Sequence, residues 1–488
     1  MTRVDYRRFD KRRIKTNSKD VKRGDIFIAV KGSHFNGHDF VHDAIEKKAA
    51  CCIVSNRTRM VKKDIIDRTR MIYVPDTREE LSKIASILYA DPSSKLKVIG
   101  VTGTNGKTTV SYLIDKFLRD KGKRTGVVGT VSYRIGDKSY EADRTTPDAL
   151  YLNDLLDRMV SKDIEVCIME VSSHALEQKR TKHIFFDMAV FTNLTPEHLD
   201  YHKDMDSYFN AKARIFDNLK QRGVAVINGD DDRYKALMRR LSKRRVVSFG
   251  INKGKKRDYV ARNINLGLSG SQFSIENRGI KEHIETRLIG RHNVSNIMAA
   301  VSTAHMMGVK IKEAAMSVKD FNGAPGRLES IDEGQDFKVF VDYAHTPDAL
   351  RKAIKAIKPF VKRKLITVFG CGGERDRTKR PVMGRTSGCY SDYTVITSDN
   401  PRGESQERIA SEIEKGISTY KGRYSIILDR NKAIMKAIGM AKKGDVVLIA
   451  GKGHETTQVI GTDNIHFSDR EVARSLLRQR QTFIRDRK

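Results

Sequence analysis

From Leu96 onward the chain repeats one pattern: a short apolar run, a polar loop, then a stretch with helical spacing. The runs are Val98–Val101, Val166–Met169, Met188–Phe191 and Val224–Ile227. After residue 326 they resume as Val339–Val341, Leu365–Phe369, Thr394–Ile396, Ser425–Leu428 and Val446–Ala450. Runs this short, with helices between them, are strands buried on both faces, so the pattern predicts mostly parallel sheets covered by helices. Residues 258–290 depart from it. They alternate polar and apolar side chains around Gly-rich turns and predict an antiparallel patch. Residues 1–88 read as a smaller α/β unit, with strands at Gly24–Val30 and Cys51–Ser55 and a helix over Asp43–Ala50, before Asp91-Pro92 breaks the chain. The expected fold is α/β in three domains, 1–88, 89–325 and 326–488. The second and third are each built on a parallel sheet. A length of 488 residues agrees, since domains average ~150 residues.

Composition narrows the class. With 39% apolar and 32% charged residues and only 9 prolines, the chain is globular rather than disordered. No apolar run approaches the ~18 residues of a membrane helix. The basic N-terminus has no apolar segment behind it, so it is not a secretory signal. Cys51, Cys52, Cys167, Cys371 and Cys389 form no C-x-x-C pair, which predicts free thiols in a reducing cytoplasm and no structural zinc. The formal net charge of +32 favours polyanionic partners. Lys and Arg are spread along the whole chain rather than gathered in a stripe interleaved with aromatics. A dedicated nucleic-acid binder is therefore the alternative and not the main reading. The last residues, Arg478–Lys488, read as a charged tail that frays.

The unusual polar residues fall directly after the strands, where open parallel sheets bind ligands. Val98–Val101 leads into Thr102-Gly103-Thr104-Asn105-Gly106-Lys107-Thr108-Thr109 and a helix from Val110. A strand, a glycine turn and a helix start make a phosphate cradle. Glycines let backbone N–H groups approach the phosphates, Lys107 reaches the β/γ oxygens, and Thr108 or Thr109 can hold Mg²⁺. The G-x-x-G-K-T spacing is two residues shorter than the common Walker loop. Glu170 ends a buried strand, where an acid needs a partner; a magnesium ligand is one such role and a structural ion pair the other.

In this order and spacing, the glycine loop, Gly290–Asn296 (GRHNVSN), Asp342–His345 (DYAH) and Asp399–Arg402 (DNPR) resemble the Mur ligases. These are ATP-dependent enzymes that add amino acids to the cell-wall precursor. The likeness runs from about Ser18 to Arg470. The folylpolyglutamate synthetases, which share the ATP apparatus, are the neighbouring family to exclude. The resemblance implies a monomeric cytoplasmic ligase of peptidoglycan synthesis. Its reaction joins the D-Glu γ-carboxylate of UDP-MurNAc-L-Ala-D-Glu to meso-diaminopimelate through an acyl phosphate, with ATP as substrate and Mg²⁺ as cofactor. L-lysine as the added amino acid is the nearest alternative. The family often has more sequence before Asp25, which implies a trimmed first domain.

Site residues follow from the same resemblance. ATP is implied at Gly103, Thr104, Asn105, Gly106, Lys107, Thr108, Thr109, Asn293, Asn296, Arg327, Asp342 and His345. Metal is implied at Thr108, Glu170, His198 and Lys212, the last as a carbamate; Lys107, Lys212 and His198 are the catalytic set. By composition alone Lys212 is an exposed helix lysine, and Asn293 a helix cap. The UDP-MurNAc-dipeptide is implied at Ser18, Ser33, Thr145, Thr146, Ser172, Gln178 and Arg180, with uridine on the first domain. Diaminopimelate is implied at Arg375, Asp399, Asn400, Pro401, Arg402, Gly451 and Glu455. Its distal end carries a carboxylate and an ammonium, and Arg402 and Glu455 are the opposite charges needed to hold both. L-lysine has no distal carboxylate.

Overall fold

The structure, a computed structural model, describes residues 5–32, 35–55, 71–252, 257–420 and 422–485. It divides into two compact units: the chain to Lys107 with Leu118–Val247, and Thr108–Phe117 with the chain from Ser248.

The first unit opens with a four-stranded parallel sheet, Ile14–Lys15, Ile26–Ile28, Cys51–Ser55 and Met71–Val74, paired in chain order. Helix Thr77–Leu88 begins where the Asp76 carboxylate accepts from the backbone N–H of Arg78 and Glu79, and it buries Leu81, Ile84 and Ala85. A larger sheet follows. Its central strand, Lys97–Thr102, lies between Phe186–Phe191 and Val166–Glu170, parallel to both. Leu219–Asn228 and Thr125–Val128 extend it on either side, and Ser132–Ile135 and Lys138–Glu141 continue it antiparallel. Helix Ala149–Val160 covers it. Asp148 caps this helix, and Leu152, Leu155, Leu156 and Met159, at i, i+3, i+4 and i+7, form its buried stripe. Each such side chain contributes ~1.5–3 kcal/mol on full burial. The register sets Val101 beside Glu170 and Thr102 beside Phe191, so three neighbouring strands end together.

The second unit contains the antiparallel patch, Tyr259–Gly267, Gly270–Asn277 and Ile280–Thr286, followed by helix Arg291–Met306. Its main sheet has the order Glu329–Ile331, Lys338–Asp342, Val446–Ala450, Leu365–Phe369, Tyr393–Ile396, Tyr424–Ile426. Only the first strand is antiparallel to its neighbour. Helix Pro347–Ile357 packs on it through Leu350, Ala353, Ile354 and Ile357. Thr346 caps its start, and Pro359 follows its end. The register aligns Asp342 with Ala450, and Phe369 with Ile396, so the loops after these strands share one sheet edge.

Of the tail expected to fray, residues 478–485 instead close helix Asp469–Arg485, and 486–488 lie outside the described residues. Ala473 and Leu477, four apart, are buried, and Arg478 Nε donates to Glu333 Oε2 at 2.9 Å. Among the described residues no helix is long and apolar enough to cross a membrane. The five cysteines are free thiols.

Candidate functional site

In the first unit the glycine loop leaves the central strand and ends at helix Lys107–Asp120. Gly103 has φ +143, and a Cβ there would collide with Thr192 Oγ1. Only glycine lets the loop turn so close to the next strand. A second loop holds the first from below. Asn193 Oδ1 accepts from Asn105 N at 3.0 Å, its Nδ2 donates to Asn105 O at 3.0 Å, and Thr195 N donates to Thr104 Oγ1 at 3.0 Å. Lys107 Nζ donates to the carbonyls of Gly103 and Thr104, both at 2.9 Å.

Lys212 arrives from helix Met205–Ala213 and is 1% exposed, against the expectation of an exposed helix lysine. The helix packs closely, and Tyr208, Ala211 and Ala213 are buried beside it. Lys212 Nζ donates to Gly103 O at 2.8 Å and lies 4.5 Å from the centre of the Tyr208 ring. Burial, with the nearby Lys107 cation, holds its pKa well below that of a free lysine, and Glu197 opposes this only in part. His198 has a left-handed backbone, φ +55, and its ring meets His174 edge-on at 4.7 Å.

Glu170 is fully buried at the end of its strand. Thr130 donates to both carboxylate oxygens, from N to Oε1 at 3.0 Å and from Oγ1 to Oε2 at 2.9 Å. Thr130 Oγ1 also lies 3.1 Å from Thr145 Oγ1. Thr146 Oγ1 donates to Glu170 O at 2.8 Å and accepts from Ser172 N at 3.1 Å. Ser172 in turn caps helix Ser173–Glu177. Arg180 Nη1 donates to Thr146 O at 2.7 Å, and its Nε and Nη2 donate to Gln178 Oε1. Thr145, Thr146, Glu170, Ser172, Gln178 and Arg180 thus form one hydrogen-bonded chain.

Gln178 and Arg180 also line a cavity of about 680 Å³, whose far wall carries Ser18, Phe35, Phe40 and Arg78. Ser18 Oγ lies 3.5 Å from Asp43 Oδ2, and Lys47 Nζ fixes the Ser18 carbonyl at 2.7 Å. Ser33 lies outside the described residues.

Among the described residues no three His, Cys, Asp or Glu side chains cluster to cage a metal. Mg²⁺ rarely needs such a cage. It uses one or two carboxylates and fills its octahedron with water and phosphate oxygens. The Glu170 carboxylate, a buried hard-oxygen donor, fits that mode.

In the second unit Gly290 caps helix Arg291–Met306, so Asn293 is not its cap. Asn293 Nδ2 donates to Ile289 O at 2.9 Å, and Asn296 Nδ2 donates to Asn293 Oδ1 at 3.0 Å. The Arg327 guanidinium lies 4.7 Å from the centre of the Tyr343 ring, and its Nη2 donates to Thr108 Oγ1 at 3.4 Å. Thr108 and Thr109 are both buried. Asp342 accepts the N–H of Leu328 at 2.6 Å and of Ala344 at 2.8 Å. Burial raises its pKa, while Arg327 and these N–H groups pull it back. His345 Nδ1 lies 2.9 Å from Tyr343 O.

The remaining residues meet at the shared sheet edge. A Cβ built on Gly372 would lie 3.3 Å from Arg402 Nη1 and 3.7 Å from Arg375 Cγ, so both arginines stand beside this glycine. Arg402 Nη1 donates to Gly373 O at 2.8 Å. Its backbone is left-handed, φ +52. Two bonds clasp it there: Arg402 N to Val459 O at 3.1 Å and Gly461 N to Arg402 O at 2.8 Å. Pro401 is buried beside it. Asn400 Nδ2 donates to Glu455 Oε2 at 3.1 Å, and a Cβ at Gly451 would lie 2.6 Å from Asp399 Oδ2.

Two participants had no sequence signal of their own: Thr130 and Tyr208. Asn193 and Thr195 stand in the same polar segment as His198, directly after a strand, and that position is the signal that points to them.

Three family models match the chain: the Mur ligase family catalytic domain over residues 12–89, the Mur ligase middle domain over 101–304, and the Mur ligase glutamate ligase domain over 326–453. The chain belongs to the Mur ligase family. It is 42% identical over 474 residues to a protein of Geobacillus thermodenitrificans named UDP-N-acetylmuramoyl-L-alanyl-D-glutamate--2,6-diaminopimelate ligase, covering 96% of this chain and 95% of that one. A solved structure of a ligase of the same name matches with a TM-score of 0.66 at 32% identity, over 96% and 95% of the two chains. The MurF ligase of Thermotoga maritima, solved in complex with ADP, shares the fold, with a TM-score of 0.60 at 21% identity over 98% of each chain.

Proposed function

We propose that the chain is the ligase that joins the D-Glu γ-carboxylate of UDP-MurNAc-L-Ala-D-Glu to an amino group of meso-diaminopimelate, converting ATP to ADP and phosphate. The observation that carries this reading is the meeting of Arg402, Asn400 and Glu455 at one sheet edge. It supplies both charges a distal zwitterion needs, in a chain 42% identical to a ligase named for diaminopimelate.

The chemistry has two steps. A carboxylate oxygen attacks the γ-phosphorus, ADP leaves, and an acyl phosphate forms. The amine then attacks the acyl carbon, inorganic phosphate leaves, and the amine gives up a proton. The loop N–H groups of Gly103–Gly106 and the Lys107 ammonium offset the charge on the transferred phosphoryl group. Mg²⁺, when bound, would neutralise phosphate charge, and Thr108, Glu170, His198 and carbamylated Lys212 are the residues that would hold it. A carbamate forms only from a neutral amine, and the burial and Lys107 cation that lower the Lys212 pKa favour that form. Asn293 and Asn296 serve the adenine, Arg327 a phosphate, and Asp342 and His345 the ribose end. Each Asp342 oxygen keeps a lone pair for a hydroxyl beyond its backbone bond. Ser18 and Ser33 take the uridine; Thr145, Thr146, Ser172, Gln178 and Arg180 take the muramoyl peptide. The cavity of about 680 Å³ supports this, being lined by Ser18, Gln178 and Arg180 together.

The domains of this reading are 1–88, 89–325 and 326–488, which the family matches at 12–89, 101–304 and 326–453 support. The reaction belongs in the cytoplasm, where ATP is available. The test is ADP release with UDP-MurNAc-dipeptide and a panel of diamino acids. Release should require the dipeptide and be fastest with meso-diaminopimelate. No ADP release with any amino acid of the panel would remove the reading.

A further inference from the structure

Lys452 follows Gly451 at the end of strand Val446–Ala450 and has no exposure to solvent. A buried ammonium demands partners, because burial strips its hydration. It has two, and both belong to the amino-acid end of the site. Lys452 Nζ donates to Asn400 Oδ1 at 3.0 Å and to Glu455 Oε2 at 2.9 Å. Asn400 closes the ring by donating from Nδ2 to the same Glu455 oxygen at 3.1 Å.

The ring also settles which way the Asn400 amide faces. Lys452 Nζ and Val459 N, at 3.1 Å, are both donors, so the atom they meet must be the oxygen. The NH₂ is thereby turned onto Glu455. Both bonds to the Glu455 carboxylate fall on Oε2 and neither on Oε1. The carboxylate is fixed in rotation, with one oxygen committed to the protein.

We infer that Lys452 is a positioning residue that sets amino-acid specificity through Glu455 and Asn400. This rests on the ligase reading above. By holding Oε2, Lys452 aims Oε1 for the ligand ammonium. By standing beside Glu455, it also offsets that residue's negative charge. A side chain offering an ammonium alone then gains little, while one that also brings a carboxylate to Arg402 gains from both ends. Lys452 thus works against L-lysine without touching it.

The test uses the full-length enzyme and steady-state ADP release. Lys452→Met should raise KM for meso-diaminopimelate at least ~10-fold and narrow the preference over L-lysine at least ~5-fold, with KM for ATP and for UDP-MurNAc-dipeptide within ~2-fold of wild type. A double variant, Lys452→Met with Glu455→Gln, should be no worse than Glu455→Gln alone, because Lys452 acts through that carboxylate. Lys452→Gln, which keeps an NH₂ donor group, should fall between wild type and Lys452→Met, and it decides the matter if Lys452→Met does not fold. Equal changes in all three KM values, an unchanged preference, or fully additive losses in the double variant would each overturn the proposal. A wild type inactive with every amino acid would instead remove the ligase reading.

Discussion

Lys107 and Lys212 donate to the same oxygen, the carbonyl of Gly103, at 2.9 and 2.8 Å, although 105 positions separate them in sequence (212 − 107). Two ammonium groups on one acceptor repel each other, and the buried one yields: Lys212 has the depressed pKa. The pair is therefore asymmetric in the fold: Lys107 is only partly buried, while Lys212 is enclosed and its pKa lowered.

Lys107 should matter to turnover and little to folding. It stands at the first position of its helix and is only partly buried. Lys107→Ala should reduce ADP release at least ~10³-fold, the scale of losing a charge that stabilises phosphoryl transfer. Its melting temperature should stay within a few degrees of wild type. Near-normal ADP release by a folded variant would remove the phosphate-loop assignment.

Lys212 should act as a carbamate. The ammonium first gives up one proton; the neutral nitrogen then attacks CO₂, a C–N bond forms, and a second proton is released, which leaves an anion in place of a cation. Lys212→Ala should be inactive and partly restored by short carboxylic acids. The pH dependence has a definite sign. Falling pH protonates the amine and removes the carbamate, so activity should drop on the acid side and recover with added bicarbonate. Full activity in Lys212→Ala would return this residue to a packing role.

Arg402 should decide the amino acid. Its guanidinium can exchange the Gly373 carbonyl for a ligand carboxylate, which accepts two parallel hydrogen bonds. Losing one partner of a buried charged pair costs roughly 3–5 kcal/mol, or about two to four orders of magnitude in rate. Wild type should therefore prefer meso-diaminopimelate over L-lysine at least ~100-fold in kcat/KM. Arg402→Ala should lose most of that activity with KM for UDP-MurNAc-dipeptide nearly unchanged. A wild type that uses both amino acids equally would overturn the specificity and spare the ligase.

Acid stability should turn on Arg380 and Glu404. Arg380 is fully buried and bonds both Glu404 oxygens at 3.1 Å and Glu412 at 2.8 Å. This guanidinium holds the Glu404 pKa at about 2, against an ordinary 4.5. For a depressed carboxylate the stabilisation is complete above 4.5 and is lost as pH falls toward 2. Arg380→Met should cost on the order of 3 kcal/mol at neutral pH, the low end for breaking a buried pair, since Glu404 keeps some solvent contact. It should also flatten the loss of stability between pH 4.5 and 2 seen in wild-type urea melts. An equally steep acid loss in the variant would place the effect elsewhere.

Much of this architecture is legible in the sequence because buried parallel strands are continuous apolar runs. Cys51–Ser55, Leu365–Phe369 and Val446–Ala450 match their strands residue for residue. The glycine loop is legible for a similar reason, since only glycine takes the backbone that Gly103 needs. The buried cations are not. Lys212, Arg380, Arg430 and Lys452 are buried, yet they sit among 93 lysines and arginines with no local pattern to separate them. Their burial depends on acceptors far along the chain, such as Gly103 for Lys212, and Asp469 for Arg430. Thr130 was missed for the same reason, because its partner Glu170 lies 40 residues on. The helical end of the chain was misread because its charges hid a buried Ala473–Leu477 stripe.

The clasp on Arg402 reaches beyond the motif that contains it. The four letters DNPR do not by themselves aim the guanidinium. The left-handed turn at Arg402 is held by the carbonyl of Val459 and the N–H of Gly461, which belong to the hairpin of Thr457–Ile460 and Asp463–His466. Anyone exchanging amino-acid preference between relatives should therefore move that hairpin together with the motif. Transplanted alone, the arginine would relax to an ordinary backbone and point its charge away from the ligand.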